Sequence, residues 1–244
     1  MNNAVLRTEL RLFGREPGAV FWILLFPPLL LGVMGAVPAF REEQDVLGGL
    51  RLVDAYVPVS VLLGMIVGST QSMPANLTGY REHGILRRLS TTPVRPSALL
   101  SAQVLVHGLA ALLSALLALL VGRFAFDVAL PEQPFGYALA LLLGVLAALA
   151  LGAVISALAP NVKVAGAIGM GTLFPMMFCA GVWVPVGAMP DVLADVVGFT
   201  PFGAVAQALD QAAAGGWPDW THLVVTALWT VGLTAAALRW FRWE

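Results

Sequence analysis

The chain has 244 residues, 59% of them hydrophobic and 11% charged, and a formal net charge of -1; soluble domains carry roughly 45–50% apolar and about 25% charged residues. With a mean hydropathy of +0.86, this excludes a soluble enzyme, a disordered chain and a basic nucleic-acid binder, since a near-neutral charge gives no steering toward polyanions. The single cysteine, Cys179, excludes an intramolecular disulfide and any metal site built on several thiolates.

Residues 1–18 are expected to form an interfacial helix. Leu6, Leu10 and Phe13 recur at i, i+4 and i+7, and Arg7, Arg11 and Arg15 form the adjoining stripe, the pattern of a helix lying on a membrane surface. The apolar run that follows is too long for a signal-peptide core, so it reads as a retained span. A spanning helix needs about 20 mostly apolar residues. Six stretches qualify: 19–38, 55–75, 98–121, 135–158, 164–184 and 221–238. The expected fold is an all-α integral membrane domain over 19–244 with six spans. Strand-like alternation, which a β-barrel needs, is absent.

The second span carries Gly64, Gly68 and Ser72 four residues apart, and the fourth repeats this with Gly144, Ala148, Gly152 and Ser156. Such rows let helix backbones approach closely in lipid. Between spans two and three, residues 76–97 hold four arginines against one glutamate. Ile85, Leu86 and Leu89 make a short apolar ridge framed by Arg81, Arg87 and Arg88. Pro93 ends this helix, because proline disfavours helix at the residue before it. A ridge of this kind suits the groove of an acidic soluble partner or an anionic lipid surface. After the fifth span, Thr200-Pro201 reads as an N-cap followed by the first helical residue. Phe202, Val205, Ala206 and Leu209 form one apolar face behind it, so 185–220 is expected to hold two short helices dipping back into the bilayer.

Orientation follows from the basic residues. With the N-terminus inside, ten of the thirteen Lys and Arg lie on inner segments and three on outer ones, while ten of the fourteen Asp and Glu lie outside. Both termini are therefore expected in the cytoplasm of a multi-pass protein of the plasma (inner) membrane. Trp22, Trp240 and Trp243 fall at the inner boundary, and Trp183, Trp217 and Trp220 at the outer.

The span cores hold no Asp, Glu, Lys or Arg, and His107 is the one ionisable group well inside. His107 is expected to be a packed polar residue bonded to a neighbouring helix. Missing intramembrane carboxylates argue against ion-driven transport. No HExxH, G-x-S-x-G or P-loop sequence is present, so no catalytic residue, metal site or ATP site is expected. Any uphill transport would draw its energy from a partner.

The sequence Arg81-Glu82-x-Gly84-x-Leu86-x-x-Leu89-x-x-x-Pro93 resembles the loop between spans two and three in permease subunits of type-2 ATP-binding-cassette exporters. A second stretch is similar to that family's fifth span and outer re-entrant region: Phe174-Pro175, Ala180-Gly181-Val182-Trp183-Val184-Pro185, Met189-Pro190, Thr200-Pro201-Phe202 and Gln207-Ala208-Leu209. The family usually has Leu-Ser-Gly where this chain has Cys179-Ala180-Gly181. The resemblance covers essentially the whole chain and implies a drug-resistance or natural-product exporter.

Several expectations follow from the resemblance. The 81–93 loop becomes the coupling helix of a separate cytoplasmic P-loop ATPase, present in two copies, which carries the ATP and Mg. Arg81, Glu82, Gly84, Leu86, Arg87, Arg88, Leu89 and Pro93 form that contact. A second copy of this chain, or a sibling permease, completes the path. Spans two and five line it, through Met65, Ser69, Met73, Met170, Thr172, Phe174 and Met177. Met and aromatic side chains make a plastic apolar surface suited to several hydrophobic or amphipathic substrates. The alternatives left open are a non-transporting assembly protein whose basic loop binds anionic lipid, and a secondary transporter.

Overall fold

The computed structural model describes residues 3–44, 49–85, 88 and 96–240. Its helices are α1 (Asn3–Gly14), α2 (Pro17–Ala36), α3 (Leu52–Glu82), α4 (Pro96–Phe126), α5 (Pro134–Leu158), α6 (Val162–Cys179), α7 (Asp191–Gly198), α8 (Pro201–Ala213) and α9 (Trp220–Trp240). Six of them, α2 to α6 and α9, are long and apolar enough to cross a membrane.

The second span is longer than its apolar core. It continues through the residues assigned from sequence to the loop and stops at Gly84, whose φ of 67° breaks the helix. At 1.5 Å per residue α3 measures about 46 Å, longer than the roughly 30 Å hydrocarbon layer. Its last two turns stand beyond the apolar zone, on the side that carries α1.

α3 is also the most buried span. Its Gly64 and Gly68 face α2 and α4: a β-carbon on Gly64 would lie 2.5 Å from the Ser114 hydroxyl and 2.8 Å from the Ile23 carbonyl oxygen. The face beside it, carrying Met65 and Ser69, meets the α5 row. A β-carbon on Gly144 would lie 2.8 Å from the Val205 side chain, and one on Gly152 would lie 2.9 Å from the Ser69 carbonyl. The main core, with Val61, Leu62, Met65, Phe202, Val205 and Leu209 at its centre, is built where α3, α4, α5 and α8 meet. α9 packs along α5 but leaves Leu228, Val231 and Leu238 exposed, as a lipid-facing helix does.

Prolines reshape the spans at two places. In α2, the Pro27-Pro28 pair follows a π-helical turn at Phe21–Leu25; in α3, Pro74 follows another at Gly68–Ser72. A proline has no N–H to donate and its ring crowds the carbonyl one turn back. Widening that turn to i→i+5 bonding relieves the conflict while keeping the helix continuous.

The segment after α6 forms the expected helix pair, α7 and α8, bent by 110°. The Thr200 hydroxyl accepts from the Gly203 N–H at 3.2 Å, capping α8, with Pro201 as its first residue. Phe202, Val205, Ala206 and Leu209 are all buried. Gly203 is needed at the bend, because a β-carbon there would collide with the Val197 carbonyl oxygen.

Candidate functional site

A cavity of about 740 Å³ opens between α2, α3 and α6. Trp22, Ile23 and Phe26 come from α2, Leu63, Val67 and Gln71 from α3, and Met170, Phe174 and Met177 from α6. Both π-helical turns contribute to this wall, through Trp22 and Ile23 on one side and Gln71 and Ser72 on the other. Single π-turns inside α-helices recur at functional sites.

The polar content of the cavity is small and localised. The Gln71 side-chain nitrogen is buried without a hydrogen-bond partner among the described residues, an unused donor at the wall. Glu16 and Asn76 lie at the end nearer α1, where the Asn76 amide donates to the Glu16 carboxylate at 3.4 Å. Aromatic faces dominate the rest: Trp22 and Phe26 lie 4.7 Å apart between ring centroids, and Phe174 stacks on Trp183 at 6.2 Å. α3 and α6 meet beneath the cavity at Gly169, where a β-carbon would run into the Thr70 carbonyl oxygen.

The candidate path residues divide between two faces. Met170, Phe174 and Met177 line the cavity, with Met170 49% and Phe174 53% exposed. Met65, Ser69 and Met73 are buried on the other side of α3, beside His107, Val145 and Leu149. Thr172 lies outside the cavity lining and bonds back to the Ile168 carbonyl at 2.8 Å. The cavity-facing row of α3 is Leu63, Val67, Gln71 and Ala75, spaced four apart. Both rows have the same helical period and the same apolar character, so periodicity does not separate them. The one local signal was Gln71, the polar member of its row.

At the α1 end, Glu9 is 5% exposed. It accepts from the Tyr80 hydroxyl at 2.8 Å and from the Gln103 amide at 2.5 Å, tying α1 to α3 and α4. Burial raises the Glu9 carboxyl above its ordinary value of 4.5, against those hydrogen bonds, which favour the ionised form. Sequence reading placed Glu9 only as an inner-side acid. His107 is a packed polar residue: Nδ1 lies 3.0 Å from the Gln103 carbonyl, and Nε2 lies 3.1 Å from the Ser72 hydroxyl on the neighbouring α3.

The loop candidates begin where α3 ends. The Arg81 guanidinium donates to the Ala159 carbonyl, and Glu82 accepts from the Val162 N–H at 3.0 Å. The end of α3 is thus fastened to the turn between α5 and α6. Gly84 holds its positive φ with open space around it, and Arg88 is exposed. Leu86, Arg87, Leu89 and Pro93 lie outside the described residues.

Known proteins place this arrangement. Residues 2–212 match the family described as ABC-2 type transporter. The chain is also similar to the "Putative transport permease YvfS" of Bacillus subtilis (strain 168), at 25% identity over 181 residues, covering 72% of each chain. With six membrane-length helices among the described residues and a family match over most of its length, the chain belongs to the ABC-2 type transporter family as a membrane permease.

Proposed function

We propose that this chain is the membrane subunit of an ATP-driven exporter. It passes a hydrophobic or amphipathic substrate (a drug, a natural product or a lipid-linked molecule) along the α2–α3–α6 cavity. The observation that carries this reading is the cavity itself: a drug-sized space with apolar walls, one unused amide donor and two π-helical turns in its lining. The path residues in this reading are Trp22, Phe26, Gln71, Met170, Phe174 and Met177.

A separate cytoplasmic ATPase supplies the energy, binding ATP and Mg itself and docking on residues 81–93. Leu86 and Leu89 fill its groove, and the neighbouring arginines meet its acidic groups. Arg81 and Glu82 act from behind that contact: they fasten the loop to the α5–α6 turn, so a push on the loop reaches α3 and α6 together. Those are the two helices that, with α2, enclose the cavity. A second copy covers the exposed face of α6, where Gly166, Met170, Gly171 and Phe174 recur at helical spacing. Both termini lie in the cytoplasm, in keeping with the basic residues of the inner segments.

The test is co-purification of the full chain in nanodiscs with its candidate ATPase, beside a variant carrying Leu86→Arg and Leu89→Arg. The expected result is a stable complex, lost in the variant while the permease stays monodisperse. A complex that survives the double substitution would overturn the docking assignment. Failure to bind any P-loop ATPase would move the loop to a lipid-binding role.

A further inference from the structure

A second cavity, of about 590 Å³, lies at the end of the bundle away from α1. It is formed by the start of α3, the end of α4 with the segment after it, the start of α5 and the end of α8. It shares no lining residue with the α2–α3–α6 cavity. Val57, Val59, Leu119, Val128, Ala206 and Ala213 give it an apolar wall, and its size is that of a small-ligand site.

Its charges are unevenly used. Arg51 is the cation of the lining, and each of its side-chain nitrogens donates a hydrogen bond: Nε and Nη2 to the Asp54 carboxylate at 2.8 and 2.7 Å, and Nη1 to the Phe126 carbonyl at 3.2 Å. The other two acids of the lining are Asp127 and Asp210. The Asp210 side chain has no hydrogen bond or ion pair among the described residues, and desolvation at the cavity wall pushes its carboxyl up to about 7. Tyr137 is 5% exposed, and its hydroxyl has no hydrogen-bond partner there. Tyr137 and Asp210 line the same cavity. A buried hydroxyl without a partner is uncommon and calls for one. With Arg51 neutralised by Asp54, the net charge facing the cavity is negative.

We propose that this cavity binds a protonated primary or secondary amine on an apolar body. The ammonium donates to Asp210 and to the Tyr137 oxygen, and the apolar body lies along Val57, Val59 and Leu119. An anion meets no free cation, because Arg51 is paired with Asp54, and is repelled by Asp127 and Asp210. A neutral amphipath fills the apolar wall but leaves the carboxylate unpaired, so charge gives the selectivity.

The test uses the full chain in nanodiscs of uncharged phosphatidylcholine, without an ATPase, so its outcome is independent of the transport reading. The probe is dodecylamine carrying a photoreactive diazirine, and the sites labelled are mapped by mass spectrometry. Labelling is expected to saturate, to fall on residues 127–137 or 206–214, and to be competed by dodecylamine but not by dodecanol. Asp210→Asn should weaken binding about tenfold, the scale of one lost charged hydrogen bond; Asp210→Glu should retain it and Tyr137→Phe should weaken it less. Equal competition by dodecanol, which needs no variant, would overturn the proposal. So would unchanged labelling in a monodisperse Asp210→Asn protein, or label confined to the α2–α3–α6 cavity.

Discussion

Gly169 and Gly166 lie three residues apart on α6 and answer to different neighbours. A β-carbon on Gly169 meets the Thr70 backbone oxygen, which has no rotamer to change, whereas nothing lies within 4 Å of one on Gly166. Gly169→Ala should therefore cost about 1–3 kcal/mol, the range for overpacking a close contact. Gly166→Ala should be neutral or stabilising by up to about 1 kcal/mol, because glycine is a poor helix former. Thermal unfolding of the two variants side by side checks this; equal losses would show that α3 and α6 do not meet at Gly169. Glu9 makes a second residue-level prediction. Released from its pocket, it titrates near 4.5, while the docked form holds its proton to higher pH. Docking of α1 is thus strongest below 4.5 and weakens as pH rises through the raised value, because the docked state binds the extra proton in that window. Hydrogen exchange of the α1 amides, corrected for intrinsic rates, should rise across that range in the native chain and stay flat in Glu9→Gln.

At the scale of elements, the bend between α7 and α8 depends on a short set of local interactions. The Thr200 cap satisfies the Gly203 N–H, which would otherwise lie at a helix start with no partner. The Gln207 side chain then donates to the Ala194 carbonyl at 2.9 Å, bridging the two helices. Thr200→Ala should lower stability by about 1 kcal/mol and Thr200→Ser should retain it, as read from unfolding in detergent. Proline acts the opposite way in α2 and α3, loosening a turn without ending the helix. In both spans the widened turn falls where the wall of the α2–α3–α6 cavity is formed. The proline positions are plain in the sequence, but the π-turns depend on the packing that keeps each helix continuous through them.

For the whole molecule, the sequence reading of six spans, with the α7–α8 pair outside that count, would put the α1 end and the α9 end on one side and the α7–α8 pair on the other. Cysteine labelling tests this in a Cys179→Ser background. A membrane-impermeant maleimide should reach Asp191→Cys in intact cells, and Arg15→Cys only after the membrane is opened; both positions are exposed. The reverse pattern would invert the orientation drawn from the basic residues. At that same scale, the Arg51 contacts to Asp54 and to the end of α4 staple the far side of the bundle. The Asp54 hydrogen bond, foremost, raises the Arg51 pKa.

Much of this architecture was legible in the linear chain. The apolar runs, the Gly64 and Gly144 rows, the Thr200-Pro201 cap and the helix pair it joins are local or strictly periodic features. They depend on hydropathy, on side-chain size every four residues and on one capping oxygen, all of which a sequence displays directly. Tertiary structure decided which face of α3 meets which neighbour. Met65, Ser69 and Met73 share a period with Leu63, Val67, Gln71 and Ala75, and in a helix apolar all round only packing selects between them. It also decided that Glu9 is buried and that Arg81 and Glu82 fasten to the α5–α6 turn. Tyr137 and Asp210, too, come together only in the folded chain. Each of these joins residues at least 70 positions apart, and no local propensity carries information over that separation.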